Sequence, residues 1–598
     1  MSKISRQTFL MQSLSLSALA MLPPFSSSLL AGTAVFAKAE NLPKENIYTR
    51  IVAANDQKVA TILESLQAEI QVLKRSLGYD FANLAASYSA PESGYYKSAA
   101  LVPGMSRILK FLLKVQGPDG NLDIGNLGSP PDTAFILEPL CVATSLLLKN
   151  KAKLLTEVKA DAKKFLTKAG DALATGGVHT PNHRWVVSSA LARINALYPD
   201  QKYVNRINDW LAEGVFIDKD GHYLERSRTY SEVIDRSFIT MARLLNMPDL
   251  LEPVRKNLAM TYFYMEPNGD LVTTDSRRQD QFGSVPIWEY YHHYRYLANR
   301  DNNTEFAAIA TLIEQVKGFE EHVLTQSLFY FLEDPLLKKE MPAPTAPPVT
   351  YEKLFTTSNL ARIRRGDTTT TLFGGVDWPL VIASGRSTSP NFFSFRKGEA
   401  ILKYMRLSTG FFSTGYFRSE GLKKVGNAYV LSKKLEVPYY QPLATELRKA
   451  DGDYKLSQSI DGRFWNKMDF ENRPVSNLKT LETTITVTES NGKNQVSFQV
   501  KGSENVPVTI ELCFLEGGKL SGVTVSEEDP ENHFLEKGTG QYQFGQNTIT
   551  FGPGTLAHKR LRGLDGEMYS SHFGTLRTKG MHVYLTGLTP FEHSITIG

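Results

Sequence analysis

Asn182, His183 and Tyr230 are side chains whose types and settings suit proton transfer beside a carboxylate. Asn182 and His183 lie in Gly176-Gly177-Val178-His179-Thr180-Pro181-Asn182-His183-Arg184-Trp185, a loop running into an amphipathic segment that opens at Trp185. A helix start offers unpaired amides and the positive end of a dipole, which favour an anion. Asn182 and His183 can each donate a hydrogen bond to it. The same spacing also fits Asn182 as a simple helix cap with His183 packed beside it. Tyr230 lies in Asp220-Gly221-His222-Tyr223-Leu224-Glu225-Arg226-Ser227-Arg228-Thr229-Tyr230-Ser231-Glu232-Val233. Here an Asp-Gly turn leads to a polar segment, and a helix is expected from about Ser231. Arg226, Arg228 and Arg236 cluster around this tyrosine in sequence. Nearby cations favour a phenolate, and arginines grip carboxylates in pairs. The alternative is a solvated arginine face paired with Glu225, Glu232 and Asp235.

The elements that must position these residues fall into two textures. Apolar residues recur at spacings of three and four over 59–77, 105–115, 156–173, 185–197, 203–212, 232–245, 286–297 and 305–316, which predicts helices. An apolar helix is also expected from about Ala134. Residues 341–350 are proline-rich, and strand-like alternation follows over 368–373, 392–395, 483–488, 495–500, 508–514 and 582–585. The expected organisation is a helical bundle, solenoid or toroid over 40–340, a linker over 341–350, and an antiparallel β-sandwich over 351–598.

Residues 1–39 read as an export signal. Lys3 and Arg6 precede an apolar stretch, and Ala37-Lys38-Ala39 forms a small-x-small cleavage site. The stretch Ser5-Arg6-Gln7-Thr8-Phe9-Leu10 is similar to a twin-arginine signal with glutamine in place of the second arginine. Pro23-Pro24 interrupts the apolar run, and no later segment reads as a membrane span. The mature chain is expected in the periplasm or outside the cell. A net charge of +5 over 598 residues lacks the basic stripe of a nucleic-acid binder and suits an anionic partner. The two cysteines, Cys141 and Cys513, sit in apolar runs and read as buried thiols. The sequence carries no signal of oligomeric state.

Asn-His at a helix start, followed by Asp220-Gly221-His222-Tyr223-Leu224 and then Tyr230, resembles the heparinase II/III-like and alginate lyase superfamily and, more distantly, the hyaluronate and chondroitin lyases. The resemblance implies an N-terminal α/α toroid, an incomplete barrel, followed by a C-terminal antiparallel β-sandwich. It implies a polysaccharide lyase acting on a uronic-acid glycan without a cofactor. Asn182 and His183 would neutralise the uronate carboxylate, and Tyr230 would be general acid and, in some members, also base. A histidine or tyrosine of the β domain often assists. His292 and His293 fall on a helix, and Tyr439 and Tyr440 fall in the β half. The loop carrying Asn126 and Asp132 resembles one that holds sugar hydroxyls, although Asp132 or Thr133 also suits a helix cap. Arg277 and Arg278 would bind a further acidic sugar or simply face solvent. No metal is expected. Adjacent His292 and His293 diverge by about 100° on a helix; His558, His572 and His582 are the residues to inspect for a structural metal.

Two rival readings stand beside this one. A toroid glycoside hydrolase would need paired carboxylates, for which Asp119, Asp132, Glu225 and Asp275 are candidates. A non-catalytic glycan-binding protein would carry exposed aromatic platforms on its β domain.

Overall fold

The computed structural model describes residues 46–375, 389–462, 464–566 and 579–598. The expected leader and His572 lie outside the described residues. The helices are α1 (Ile47–Ser65), α2 (Ser76–Ser89), α3 (Val102–Val115), α4 (Pro130–Leu148), α5 (Thr156–Thr175), α6 (Pro181–Leu197), α7 (Gln201–Ala212), α8 (Arg228–Leu244), α9 (Leu251–Tyr264), α10 (Tyr291–Asp301) and α11 (Thr304–Ile313), with shorter ones after them. The chain divides into two units. One runs to Leu271 and resumes over Val285–Pro347; the other comprises Val272–Ser284 and Pro348–Gly598. No sequence signal set residues 272–284 apart.

Composition sorts the helices of the first unit into two layers. α5 buries Val158, Ala162, Phe165, Leu166, Ala169 and Leu173 along one stripe and exposes lysines on the other, as an outer helix does. α4 is buried on nearly every side, from Pro131 to Leu147. It packs against α2 and α6, α6 packs against α8, and α8 touches α10. The outer helices α3, α5 and α7 contact one another in the same way. Helices two apart in the chain are therefore neighbours. The short helix Leu328–Glu333 turns back onto α1, α2 and α4. This is an incomplete α/α toroid.

Two sequence expectations need correction. The helix expected over 59–77 ends at Ser65, a mostly exposed loop follows over 66–75, and α2, of which the expected helix reached only two residues, begins at Ser76. Within α2, Gly78 lets the helix approach Ile136 of α4 closely: a Cβ there would lie 2.7 Å from the Ile136 carbonyl oxygen. The second concerns membranes. α4 has 19 residues and a mean hydropathy of 1.3, long and apolar enough by composition to cross a bilayer. Its surface is mostly covered by α2 and α6, which gives that apolarity a different use.

Polar groups line the inside of the ring. Arg193 of α6 bonds Glu138 of α4 at 3.2 Å and Glu333 at 2.8 Å, and Arg243 of α8 joins Glu333 at 2.6 Å. Arg236 of α8 lies 3.7 Å from Glu138 and 3.6 Å from Glu232, whose carboxylate also meets His293 of α10 at 3.1 Å. Burial pushes the Glu232 carboxyl up, but Arg236 and His293 outweigh it and hold it below the usual range. Arg193 is 3% exposed, so Arg193→Ala leaves a buried gap and takes one of two arginines from each of Glu138 and Glu333. Urea denaturation should show a loss of about 3–5 kcal/mol. Lys202→Ala, which breaks exposed pairs with Asp171 and Asp200, should change stability little.

The second unit is a β-sandwich. One sheet runs in the order Thr524–Val525, Asn532–Phe534, Met581–Leu588, Pro507–Phe514, Ala400–Thr409, Phe393–Lys397, Thr368–Phe373, Leu360–Arg365, Thr350–Phe355. The other runs Leu422–Val425, Ala428–Tyr440, Val475–Ser490, Lys493–Gly502, Phe591–Ile597, Asn547–Gly552, Gly540–Phe544, Lys519–Ser521. All these pairings are antiparallel except that of Asn532–Phe534 with Met581–Leu588. Alternation decides the faces: Val496, Phe498 and Val500 point into a shared core with Leu407, Ile510 and Leu512 of the first sheet.

On the opposite face of Pro507–Phe514, Glu511 is buried and meets His582 Nδ1 at 2.9 Å and the Tyr416 hydroxyl at 2.8 Å. Burial disfavours a charged His582, but Cys513 and Glu511 outweigh it and raise its pKa from 6.5 to about 9. The folded chain thus holds this proton more tightly than the unfolded one. The resulting stability is complete below pH 6.5 and is lost as pH rises through about 9. The melting temperature should fall over that interval, and His582→Asn should reduce the fall.

Candidate active site

Three inner helices of the first unit begin at the motifs singled out in the sequence. α4 starts at Pro130, with Ser129 Oγ accepting from the Asp132 amide at 3.3 Å. α8 starts at Arg228, with Ser227 Oγ accepting from the Tyr230 amide at 3.1 Å. α6 starts at Pro181, whose fixed φ and missing N–H suit a first helical position. The starts expected near Trp185 and Ser231 thus fall about a turn late, because proline and the serine cap decide them. Tyr230 lies in the first turn of α8 and Asn182 and His183 in the first turn of α6.

Named contacts join these helix starts. The Phe135 ring of α4 meets the His183 ring edge-on, with centroids 6.3 Å apart, and His179 meets His183 at 4.9 Å. Thr180, the cap position of α6, makes no side-chain cap. The vacant role falls to Glu225, in the loop that leads to Ser227 and Tyr230. Its Oε1 accepts from both the backbone amide and the side-chain Nδ2 of Asn182, each at 2.7 Å. Asn182 is fully buried, and its Oδ1 has no hydrogen-bond partner. This departs from the expected role: Asn182 faces Glu225, while His183 is partly exposed.

Asn126 and Asp132, expected to hold sugar hydroxyls, are bonded to each other. Asn126 Nδ2 donates to Asp132 Oδ2 at 2.8 Å, and Arg75 forms an ion pair with Oδ1. Burial pushes Asp132 up, but Asn126 and Arg75 outweigh it and hold it below the usual carboxylate range. Arg75 also lies over the Phe135 ring at 4.4 Å. Sequence reading missed Arg75, because the helix expected over 59–77 absorbed it.

The three arginines near Tyr230 do not form a solvent-facing grip. Arg226 is 4% exposed and has a left-handed backbone, φ 46°. Arg228 is 1% exposed and lies over the Tyr264 ring at 4.1 Å, with Nη1 3.4 Å from the Met260 sulfur. Arg236 belongs to the interior network two turns further along α8. Arg277 and Arg278 belong to the second unit, where Ser276 Oγ accepts from the Arg278 amide at 3.1 Å. Replacing Arg228 by Met should therefore appear in stability, as a loss of about 2 kcal/mol in urea denaturation. An unchanged midpoint would contradict its packing role.

A cavity of about 340 Å³ lies deeper in the ring, lined by Tyr79, Glu138, Arg193, Arg236, Trp288 and His293 among others. Asn182, His183 and Tyr230 do not line it. From Tyr230 to Arg236 along α8 is about 9 Å at 1.5 Å per residue. His292 is built into this wall: its Nε2 meets Ser327 Oγ at 2.8 Å, and burial lowers its pKa to about 3. Tyr440 of the second unit spends its hydroxyl accepting from the Ile460 amide at 2.7 Å, and Tyr439 is exposed.

Neither protein-family models nor curated protein sequences give a match to this chain. Solved structures do match in fold. Heparinase III aligns over 99% of this chain and 88% of its own, at 13% identity and a TM-score of 0.53. Chondroitin AC lyase of Streptomyces coelicolor A3, in complex with chondroitin sulphate, aligns over 94% and 81%, at 12% identity and 0.54. A Paenibacillus xanthan lyase aligns over 93% of this chain and 57% of its own, at 10% identity and 0.55. At these identities the likeness is one of fold, and the chain shares the toroid-plus-β-sheet fold of these polysaccharide lyases.

Proposed function

We propose that this protein is a polysaccharide lyase that cleaves a uronic-acid-containing glycan by β-elimination. The observation that carries the reading is the joining of three inner-helix starts, α4 to α6 through Phe135 and His183, and α6 to the Tyr230 loop through Asn182 and Glu225. The start of α8 and the His183 imidazole favour a carboxylate there. Neutralising a uronate carboxylate stabilises the enolate-like intermediate formed when the C5 proton leaves. A neutral His183 or a Tyr230 phenolate takes that proton. The electron pair forms the C4–C5 double bond, the C4–O bond breaks, and the Tyr230 phenol protonates the departing oxygen. The structural relatives named above are lyases of heparin-type, chondroitin and xanthan glycans by name, which supports an anionic polysaccharide as substrate. Residues 1–39 would direct the chain to the periplasm or beyond.

A hydrolase needs one carboxylic acid that keeps its proton near a second carboxylate. Asp132 is held low by Asn126 and Arg75 despite its burial, Asp119 is held low by its bonds from Asn121, and Glu225 accepts two N–H groups from Asn182. These placements argue against the paired-carboxylate reading. The test is ultraviolet absorbance over time with the mature protein on a panel of uronate polysaccharides. Absorbance should rise on at least one of them, and Tyr230→Phe should slow the rise about 100-fold or more. New reducing ends without absorbance would overturn the proposal.

A further inference from the structure

We infer that Glu225 is a positioning residue that sets His183 against Tyr230. This deepens the lyase reading and rests on it. Three observations converge on Glu225. It is 2% exposed, so its carboxylate is not a surface group. One of its oxygens receives both the backbone and the side-chain N–H of Asn182, at 2.7 Å each, while Thr180 leaves α6 without a side-chain cap. It also stands two residues before Ser227, which caps the helix carrying Tyr230.

The geometry gives this pair a directional role. A carboxylate can only accept here, so the Asn182 amide turns its NH₂ to Glu225 and its carbonyl away. The backbone bond fixes the first turn of α6, and His183 is the next residue along that turn. The side-chain bond fastens the same turn to the loop that enters α8. Loss of either partner frees α6 to shift against α8, and a shift of about 1 Å between reacting groups costs about 100-fold in rate. Glu225 acts through Asn182 and touches no reacting atom. A glutamine carbonyl can accept the same two N–H groups.

A double-mutant cycle on the full mature chain tests this, with kcat and KM read by ultraviolet absorbance and folding checked by thermal melting. Glu225→Ala and Asn182→Ala should each lower kcat about 100-fold with little change in KM. The double variant should be no slower than either single one. Glu225→Gln should keep kcat within about 3-fold of the native chain. A second comparison does not depend on the alanine variants folding. Asn182→Asp sets two carboxylates together and should lose activity. Adding Glu225→Gln to it should restore activity, with the glutamine amide donating to the new aspartate. Additive losses, a Glu225→Gln variant as slow as Glu225→Ala, or no rescue of Asn182→Asp would each overturn the inference. A native chain without lyase activity on the panel would instead sink the reading on which it rests.

Discussion

Charge placed inside a ring of apolar helices has to be paired, and the first unit is organised around that constraint. Glu138, Arg193, Glu232, Arg236, Arg243 and Glu333 come from four helices and meet within the ring. An unpaired ion at such a depth costs several kcal/mol, so each helix is held at the one axial position that closes its pairs. The gain is register more than stability, because ion pairing roughly offsets desolvation. Glu225 and Asn182 repeat the principle at the helix starts, with a carboxylate satisfying amides that the helix cannot satisfy itself.

With the helices in register, the proposed chemistry falls to their starts rather than to the cavity. In the cavity, arginines hold Glu232 and Glu333 ionised despite their burial, and His292 is kept neutral. Those groups are committed to structure. The starts of α6 and α8 instead carry a partly exposed imidazole, His183, and a buried tyrosine, Tyr230.

Much of this was legible in the sequence, and the exceptions have physical causes. Outer helices and exposed strands announced themselves by period. The stripes of α5 and of Lys493–Gly502 are one-sided, and both elements were anticipated. Inner helices are harder, because burial on all sides erases the period; most of α2 went unassigned for that reason. Tyr230, Asn182 and His183 stood out as candidates because turn and cap residues surround them. The inward turn of Arg228 could not be foreseen, because its partners Tyr264 and Met260 lie on another helix. The same holds for Glu225, whose partner lies on α6. Side chains that work across helices leave no local mark in a single sequence.

The central claim is that the glycosidic bond breaks by elimination, without water entering it. The most direct measurement is digestion of an accepted uronate polysaccharide in water enriched in heavy oxygen, followed by mass spectrometry of the fragments. The account predicts fragments that carry an unsaturated non-reducing end and gain no heavy oxygen from bond cleavage. Fragments that gain one heavy oxygen per cleavage and lack the double bond would contradict it.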